Sequence, residues 1–211
     1  MSNPRFRGNK RRGRTSRRLL SKPLVLIVCE GEKTEPNYLH GLRKRRKINR
    51  DRIRIFNSKD CDGTDPKTIV ECAKRKKRNL KRDEELNYDK VWCVFDRDIH
   101  TTFDQALNQA QANNINVAFS NPCIELWFLL HFQDQTAHID RISVERELRK
   151  IANLPAYKKG MQDLYGRLLS RQSSALKRAA NLRQMHKRNY NVETTNPSTS
   201  LDLLINFLNT M

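Results

Sequence analysis

The chain has 211 residues, with 42 lysines and arginines against 23 aspartates and glutamates, which gives a formal net charge of +19. This length suits one domain of ordinary size, and so much positive charge would repel itself in a folded monomer, which favours a polyanionic partner such as nucleic acid. No stretch approaches the roughly 20 apolar residues of a membrane-spanning helix and the amino-terminal region has no apolar signal segment, so we expect a cytoplasmic protein without a membrane partner.

Residues 1–22 are basic and almost free of apolar periodicity, which predicts a disordered arm. Order is expected to begin near Pro23 with PLVLIVCE, a continuous apolar run typical of a strand buried on both faces of a parallel sheet. The following segment, GEKTEPNYLHGLRKRRK, predicts a helix with Pro36 at a first helical position. RIRIFN (52–57) alternates polar and apolar residues and predicts an edge strand, and a basic helix is expected over about 66–80.

KVWCVF (90–95) predicts the third strand, and TTFDQALNQAQANN predicts a helix capped by Thr101 or Thr102. INVAFS (115–120) predicts the fourth strand, and NPCIELWFLLHF predicts a helix opened by Asn121 and Pro122. This alternation of strands and helices indicates an α/β fold with a mostly parallel sheet flanked by helices.

The β-strand signal fades after His131, and amphipathic helical stretches follow, the last of them SLDLLINFLN. We therefore expect an α/β core over residues 23–135 and a C-terminal helical part over 136–211 that packs on this core. His131 itself is expected to be a core or helix-end histidine.

The cysteines are odd in number, and no two of them form a C-x-x-C pair, which argues against both a zinc site and a disulfide framework. Cys29, Cys93 and Cys123 lie among apolar residues and are expected to be small buried hydrophobic side chains. A reducing compartment is the matching expectation.

Acidic side chains follow two of the predicted strands. Glu30 ends the first, and Asp96 and Asp98 end the third. If these strands are neighbours, the three carboxylates converge at the carboxyl edge of the sheet, where open α/β sheets bind ligands. Carboxylates this close need a cation between them, and oxygen ligands without His or Cys favour Mg²⁺ or Mn²⁺. An acidic metal pocket in a basic protein fits phosphodiester chemistry, although a D-x-D alone is more often a solvated loop or a helix cap.

The stretch CEGEKTEPNY followed by VFDRD resembles the Toprim fold, whose members place a Glu-Gly after the first strand and a D-x-D after a later one. The longer signature, which adds SNPCIELWFLLHF and NPSTSLDLLI, resembles the RloB family in particular, from about Leu24 to the C terminus. The resemblance implies a Toprim-like sheet and a bacterial role in antiphage defence, often beside restriction or abortive-infection genes.

By this resemblance, Glu30 is the Toprim glutamate, a metal ligand or a general acid or base, and Asp96 and Asp98 are the metal aspartates. Glu35 is implied as a further ligand, whereas the alternative for Glu32 and Glu35 is favourable charge in the first turn of a helix. Glu125 is either a buried acid that faces the metal pocket or part of a solvent-exposed stripe. The resemblance favours an active-site role for Glu125 and Asn121.

Basic residues on two predicted helices form candidate phosphate-binding surfaces, namely Arg43, Lys44, Arg45, Arg46, Lys74 and Lys77. Few aromatic residues are interleaved with them, which favours backbone contact over base reading. Lys158 and Lys159 in AYKKG could stabilise a scissile phosphate, although surface charge is the commoner explanation.

The combined interpretation is a Mg²⁺-dependent (or Mn²⁺-dependent) Toprim-type nuclease with Glu30, Asp96, Asp98 and Glu125 as catalytic residues. RNA, tRNA included, is favoured over DNA as the substrate, since a small single domain lacks extra modules for duplex DNA. The alternatives are a non-catalytic nucleic-acid-binding subunit and a primase-like nucleotidyl transferase. Because no sensor domain is evident, activation is expected to come from a partner protein of the defence system or from oligomer assembly.

Overall fold

The computed structural model describes residues 23–97, 100–151, 154, 157–189 and 194–211. Within these residues one sheet is formed by the strands β1 (Val25–Cys29), β2 (Ile53–Phe56), β3 (Lys90–Asp96), β4 (Asn116–Asn121) and β5 (Ser198–Thr199). Their order in the sheet is β2-β1-β3-β4-β5. The first four run parallel, and β5 pairs antiparallel with β4. The predicted mostly parallel sheet is confirmed, and β2 lies at its edge.

Helices cover both faces of this sheet. The described helices are α1 (Thr34–Arg45), α2 (Pro66–Asp83), α3 (Phe103–Ala112), α4 (Glu125–Leu129), α5 (Arg141–Lys150), α6 (Leu164–Leu168), α7 (Gln172–Arg188) and α8 (Leu201–Asn209). Buried residues of α2 and α3 form one apolar core, and those of α1 and α4–α8 form the other. The C-terminal helices therefore share a single core with α1 and the sheet.

The sequence of β1 explains its central place. Val25, Ile27 and Cys29 face the core shared by α1 and α4–α8, while Leu26 and Val28 face the core of α2 and α3. All five are fully buried. A strand with apolar residues on both sides is stable only between two helical layers, so β1 and its neighbour β3 lie in the interior of the sheet and their ends form the middle of its carboxyl edge.

Two details of the β-structure differ from the sequence-based expectation. No strand was predicted after His131, yet Ser198 and Thr199 form β5, because they pair with Asn121 and Ser120 of β4. A two-residue strand has no periodicity to detect. Asn121 was predicted to open a helix but ends β4 instead, since it takes part in this pairing, and α4 begins only at Glu125.

A disulfide joins Cys61 and Cys72, contrary to the expectation that the cysteines do not pair. Cys61 follows a 3-10 turn at Ser58–Asp60, and Cys72 lies on the buried side of α2, which brings their Cα atoms to 5.5 Å. The contact depends on how the turn packs against the helix, so the spacing of the cysteines did not reveal it. Cys29, Cys93 and Cys123 are free and buried, as expected.

Residues 1–22, predicted to be a disordered arm, lie outside the described residues. None of the helices in the described part of the chain is long and apolar enough to cross a membrane.

His131 is a buried core histidine, as predicted, with 1% of its surface exposed. Its Nδ1 lies 2.9 Å from the Trp127 carbonyl oxygen, which fixes Nδ1 as the protonated nitrogen. The ring packs edge-on against Trp127, with 4.9 Å between the centroids. Burial lowers the pKa of His131 to about 4, because a charged imidazolium would lose its hydration there.

This histidine is expected to make the protein less stable in mild acid. The pKa is about 4 in the folded protein and 6.5 in the reference state, so the unfolded chain binds the proton more tightly. The contribution of neutral His131 to the free energy of unfolding is complete above pH 6.5 and is lost as the pH falls towards 4. It amounts to on the order of 3 kcal/mol. Urea unfolding between pH 4 and 8 measures it. His131→Asn keeps a donor for Trp127 without titrating, so its curve should lack this loss, whereas His138→Asn at an exposed position should behave as wild type.

Candidate active site

Glu30 and Asp96 lie side by side at the carboxyl edge of the sheet. Glu30 follows β1, and Asp96 is the last residue of β3. These two strands are adjacent and parallel, and Cys29 pairs with Val94. The Glu30 N–H donates to the Val94 carbonyl at 2.8 Å, so β1 stays paired up to this residue. The Asp96 N–H then donates to Glu30 Oε2 at 2.8 Å. Asp98, the other aspartate of the motif, lies outside the described residues.

A cavity of about 400 Å³ opens at this edge, and five acids line it: the exposed Glu32 and the mostly buried Glu30, Glu35, Asp96 and Glu125. Glu35 reaches it because α1 begins at the edge and places its first turn there. Glu125 is the first residue of α4 and is 2% exposed, so it faces the cavity and is not part of a solvent stripe. The remaining lining residues are Gly31, Lys33, Thr34, Ser58, Thr64, Ile124, Arg141 and Lys159.

The carboxylates in this cavity repel one another. Burial raises the pKa of Asp96 well above its ordinary value, and the charges of Glu35, Glu30 and Glu125 raise it further. Burial, together with the charges of Glu125 and Glu30, raises the pKa of Glu35 to about 7, although backbone N–H groups of Gly31 and Glu35 oppose the shift. Burial also raises the pKa of Glu30. The cavity therefore carries more negative charge than its surroundings neutralise, which favours a cation.

Two basic side chains that the sequence analysis did not identify contact this acidic pair. Arg141, the first residue of α5, donates from Nη2 to Asp96 Oδ2 at 3.0 Å. His100 Nε2 lies 3.1 Å from Glu30 Oε1. The position of His100 shortly after the DRD motif was an available signal. Arg141 lies 45 residues from Asp96 in the sequence, and only tertiary packing brings the two together.

Tyr157 and Lys159 border the cavity on the side of Glu125 and α5. The buried Tyr157 hydroxyl donates to Glu125 Oε1 at 2.8 Å. Lys159 lines the cavity and pairs with Glu145 of α5 at 2.9 Å. The neighbouring Lys158 is exposed and does not line the cavity. The two lysines, predicted as a pair, thus have different surroundings, since adjacent residues in a turn point in different directions.

Mg²⁺ and Mn²⁺ prefer ligands of the kind that this cavity contains, namely carboxylate oxygens. Burial and mutual repulsion raise the pKa values of Glu35 and Asp96, so their charged forms are disfavoured unless a cation is present. Among the described residues, however, no three acids, histidines or cysteines are grouped closely enough to hold an ion together. The donor chemistry therefore fits a divalent ion, but the described acids would have to draw closer to bind it.

Two other residues from the sequence analysis are not among the buried acids of the cavity, namely Glu32 and Asn121. Glu32 is exposed and pairs with Lys59 at 3.2 Å, which agrees with a surface role. Asn121 is buried and donates from Nδ2 to the Thr194 carbonyl at 2.7 Å. It does not line the cavity, and its described contact is to backbone, so it stabilises the segment that leads to β5.

The predicted basic residues do not form one surface. Arg43, Lys44 and Arg45 end α1 and Arg46 caps it, whereas Lys74 and Lys77 belong to α2 on the opposite face of the sheet. Lys74 is also paired with Glu71 at 2.9 Å. One nucleic-acid strand that follows α1 would therefore not reach α2 without passing around the sheet.

A search of curated proteins gave no match to this sequence. The family model described as RloB-like protein matches residues 25–208. This span covers both helical layers, all five described strands and every acid of the cavity. The chain therefore belongs to the RloB-like protein family.

Proposed function

We propose that this protein is a Mg²⁺- or Mn²⁺-dependent nuclease that hydrolyses phosphodiester bonds. The observation that carries the proposal is the hydrogen-bonded pair of Glu30 and Asp96 in an acidic cavity of a chain with a net charge of +19. Acids gathered inside a strongly cationic protein suit a divalent ion, and the cationic exterior suits a phosphate backbone.

Glu30, Glu35 and Asp96 would hold the ion, with Asp98 next to them along the chain. A bound divalent ion polarises a phosphate oxygen and makes its bound water more acidic. Glu35 would release its proton when a cation binds, since its pKa near 7 reflects burial and repulsion that a cation relieves.

Arg141, Lys159 and Glu125 would act on the substrate side of the site. The guanidinium of Arg141 and the ammonium of Lys159 line the cavity and can bind non-bridging phosphate oxygens as negative charge develops there. The hydrogen bond from Tyr157 holds Glu125 in place, where it can orient a water molecule or exchange a proton with it.

The proposed substrate is RNA, tRNA included, in preference to DNA. The proposed setting is bacterial antiphage defence, which is what membership of the RloB-like family supports. Activation by a partner protein or by assembly would keep such a nuclease silent before infection.

A non-catalytic nucleic-acid-binding subunit is the second candidate. One observation favours it: Arg141 already pairs with Asp96, so a protein group supplies part of the counter-charge that an ion would provide, and His100 contacts Glu30. In such a protein the acids would hold α5 and the loop after β3 in place and perform no chemistry.

One experiment separates the two candidates. The purified full chain is incubated with end-labelled tRNA, single-stranded RNA and plasmid DNA in Mg²⁺, in Mn²⁺ or in chelator. We expect cleavage of RNA in the presence of metal and none in chelator. Retention of RNA on a filter in all three buffers, without cleavage in any of them, would instead establish the binding subunit.

A further inference from the structure

A row of polar side chains runs along the outer face of α1. Its members follow one another at intervals of four and three residues, which places them on one side of the helix; they are Lys33, Asn37, His40, Lys44 and Lys47. Lys33 immediately precedes the helix and Lys47 lies two residues beyond its end. Asn37 is half-buried and the other four are exposed. This set is called the α1 row below.

One end of the α1 row reaches the acidic cavity, since Lys33 and Thr34 line it. The turn that carries Lys159 is attached at the same place. Asn37 Nδ2 donates to the Gly160 carbonyl at 2.8 Å, and the Gly160 N–H donates to Thr34 Oγ1 at 3.0 Å. Gly160 has a φ of +75°, and a Cβ there would lie 2.9 Å from Lys33 Cβ. The turn therefore packs tightly against the first turn of α1 and keeps Lys159 beside the row.

The other end of the α1 row reaches a basic cavity, whose charged or titratable lining residues are His40, Arg43, Lys44, Lys47 and Arg50. It lies at the amino edge of the sheet, because α1 runs antiparallel to the strands and ends where β2 starts; Arg43 donates to the Ile53 carbonyl at 3.0 Å. Within the described residues, none of these five side chains forms an ion pair with an acid.

The charges in the basic cavity are unbalanced. Burial, Arg43 and Arg50 all lower the pKa of His40. Burial and Arg50 lower the pKa of Arg43. Like charges that depress one another in this way are stabilised by an anion placed between them. Arg43 is also partly fixed by its backbone contact, so part of the site is formed in advance.

We propose that one strand of nucleic acid lies along the α1 row, with one backbone phosphate at the acidic cavity and another in the basic cavity. This deepens the proposed function and rests on it, because it supplies the substrate path to that site. Ten residues separate Thr34 from Lys44, or about 15 Å at 1.5 Å per residue. That distance corresponds to about four or five nucleotides of a strand that keeps the stacked rise of 3.4 Å.

The make-up of the row indicates contact with the backbone and not with bases. Its members are lysine, asparagine and histidine side chains, and no Phe, Tyr or Trp is among them on which a base could stack. A single row one helix wide can follow one strand, and α2 lies on the opposite face of the sheet. Binding through this row is therefore expected to depend little on sequence and strongly on salt.

The test measures affinity and its salt dependence without any cleavage. Fluorescence anisotropy is recorded with a labelled 12-nucleotide single-stranded RNA in chelator, from 50 to 300 mM KCl. The row variant, Lys44→Ala/Lys47→Ala/Arg50→Ala, removes two lysines of the α1 row and one arginine of the basic cavity at its end. The control variant is Lys177→Ala/Lys187→Ala/Arg188→Ala on α7. It removes the same positive charge from exposed positions, and Lys187 and Arg188 lie in the last turn of this helix.

We expect the row variant to bind at least about tenfold more weakly at low salt. Its plot of log affinity against log salt should lose about 2 units of slope, since each lost contact with a single strand contributes about 0.7. The control variant should keep the wild-type slope. Equal losses in both variants would reduce the effect to net charge and overturn the proposal, as would wild-type affinity and slope in the row variant.

Failure of this proposal differs visibly from failure of the proposed function. A protein that needs the α1 row to bind RNA, yet cleaves nothing in Mg²⁺ or Mn²⁺, contradicts the nuclease and supports the row. A protein that cleaves RNA in Mg²⁺, while the row variant binds with unchanged affinity and salt slope, contradicts the row and supports the nuclease.

Discussion

Asp96→Asn is expected to reduce RNA cleavage by about 10²- to 10³-fold while the metal-free protein becomes slightly more stable. The loss follows because Asp96 ends β3 inside the acidic cavity and an amide is a far weaker ligand for a divalent ion. The gain follows because Glu30, Glu35 and Glu125 all repel its charge. Arg141 keeps an acceptor, since an asparagine oxygen can replace Asp96 Oδ2.

The measurement combines single-turnover cleavage in Mg²⁺ with thermal unfolding in chelator. Removing the charge should raise the free energy of unfolding by about 1 kcal/mol. Asp104→Asn is the matched control, because Asp104 is exposed on α3 and does not line the cavity. It should change neither quantity. Cleavage by Asp96→Asn within threefold of wild type would remove Asp96 from the site. A large drop in its melting temperature would show that the carboxylate is there to stabilise the fold.

Gly31→Ala is expected to reduce cleavage by about tenfold or more with only a small change in stability. A Cβ at position 31 would overlap the carboxylate of Glu35, so this carboxylate must leave its place in the cavity. The displaced atoms are the end of a flexible side chain and not backbone, so we expect a cost in unfolding free energy of about 1 kcal/mol, at the low end for overpacking. Gly63→Ala is the control, because the nearest atom to a Cβ there is Thr68 Cγ2 at 3.6 Å, an ordinary contact.

A double-mutant cycle decides whether Glu35 is the reason for that loss. If Gly31→Ala acts by displacing Glu35, adding Glu35→Ala to it should cause little further loss of cleavage, so that the two effects are not additive. Losses that multiply would show that Gly31 acts independently of Glu35, for instance through close approach of the substrate to the backbone. Full activity of Gly31→Ala would mean that the position of the Glu35 carboxylate does not matter for catalysis.

The sequence by itself determined the alternation of strands and helices and the position of the first acids at strand ends. Apolar runs of strand length alternate with amphipathic helices, and in such an arrangement parallel strands end at one edge. Each of Glu30 and Asp96 stands at the end of an apolar run, which predicted their place at this edge, whereas the structure showed that the two runs are neighbouring strands. The predictions depended on local pattern and on a general rule of sheet topology.

The tertiary structure alone decided which other groups meet at that edge. Arg141, His100 and Tyr157 contact the acids across long stretches of sequence, and Cys61 joins Cys72 through the packing of a turn on α2. The basic ends of α1 and α2 look alike in sequence, but the tertiary structure places them on opposite faces of the sheet. Such contacts depend on how helices pack and on where loops cross the edge, and neither periodicity nor composition carries that information.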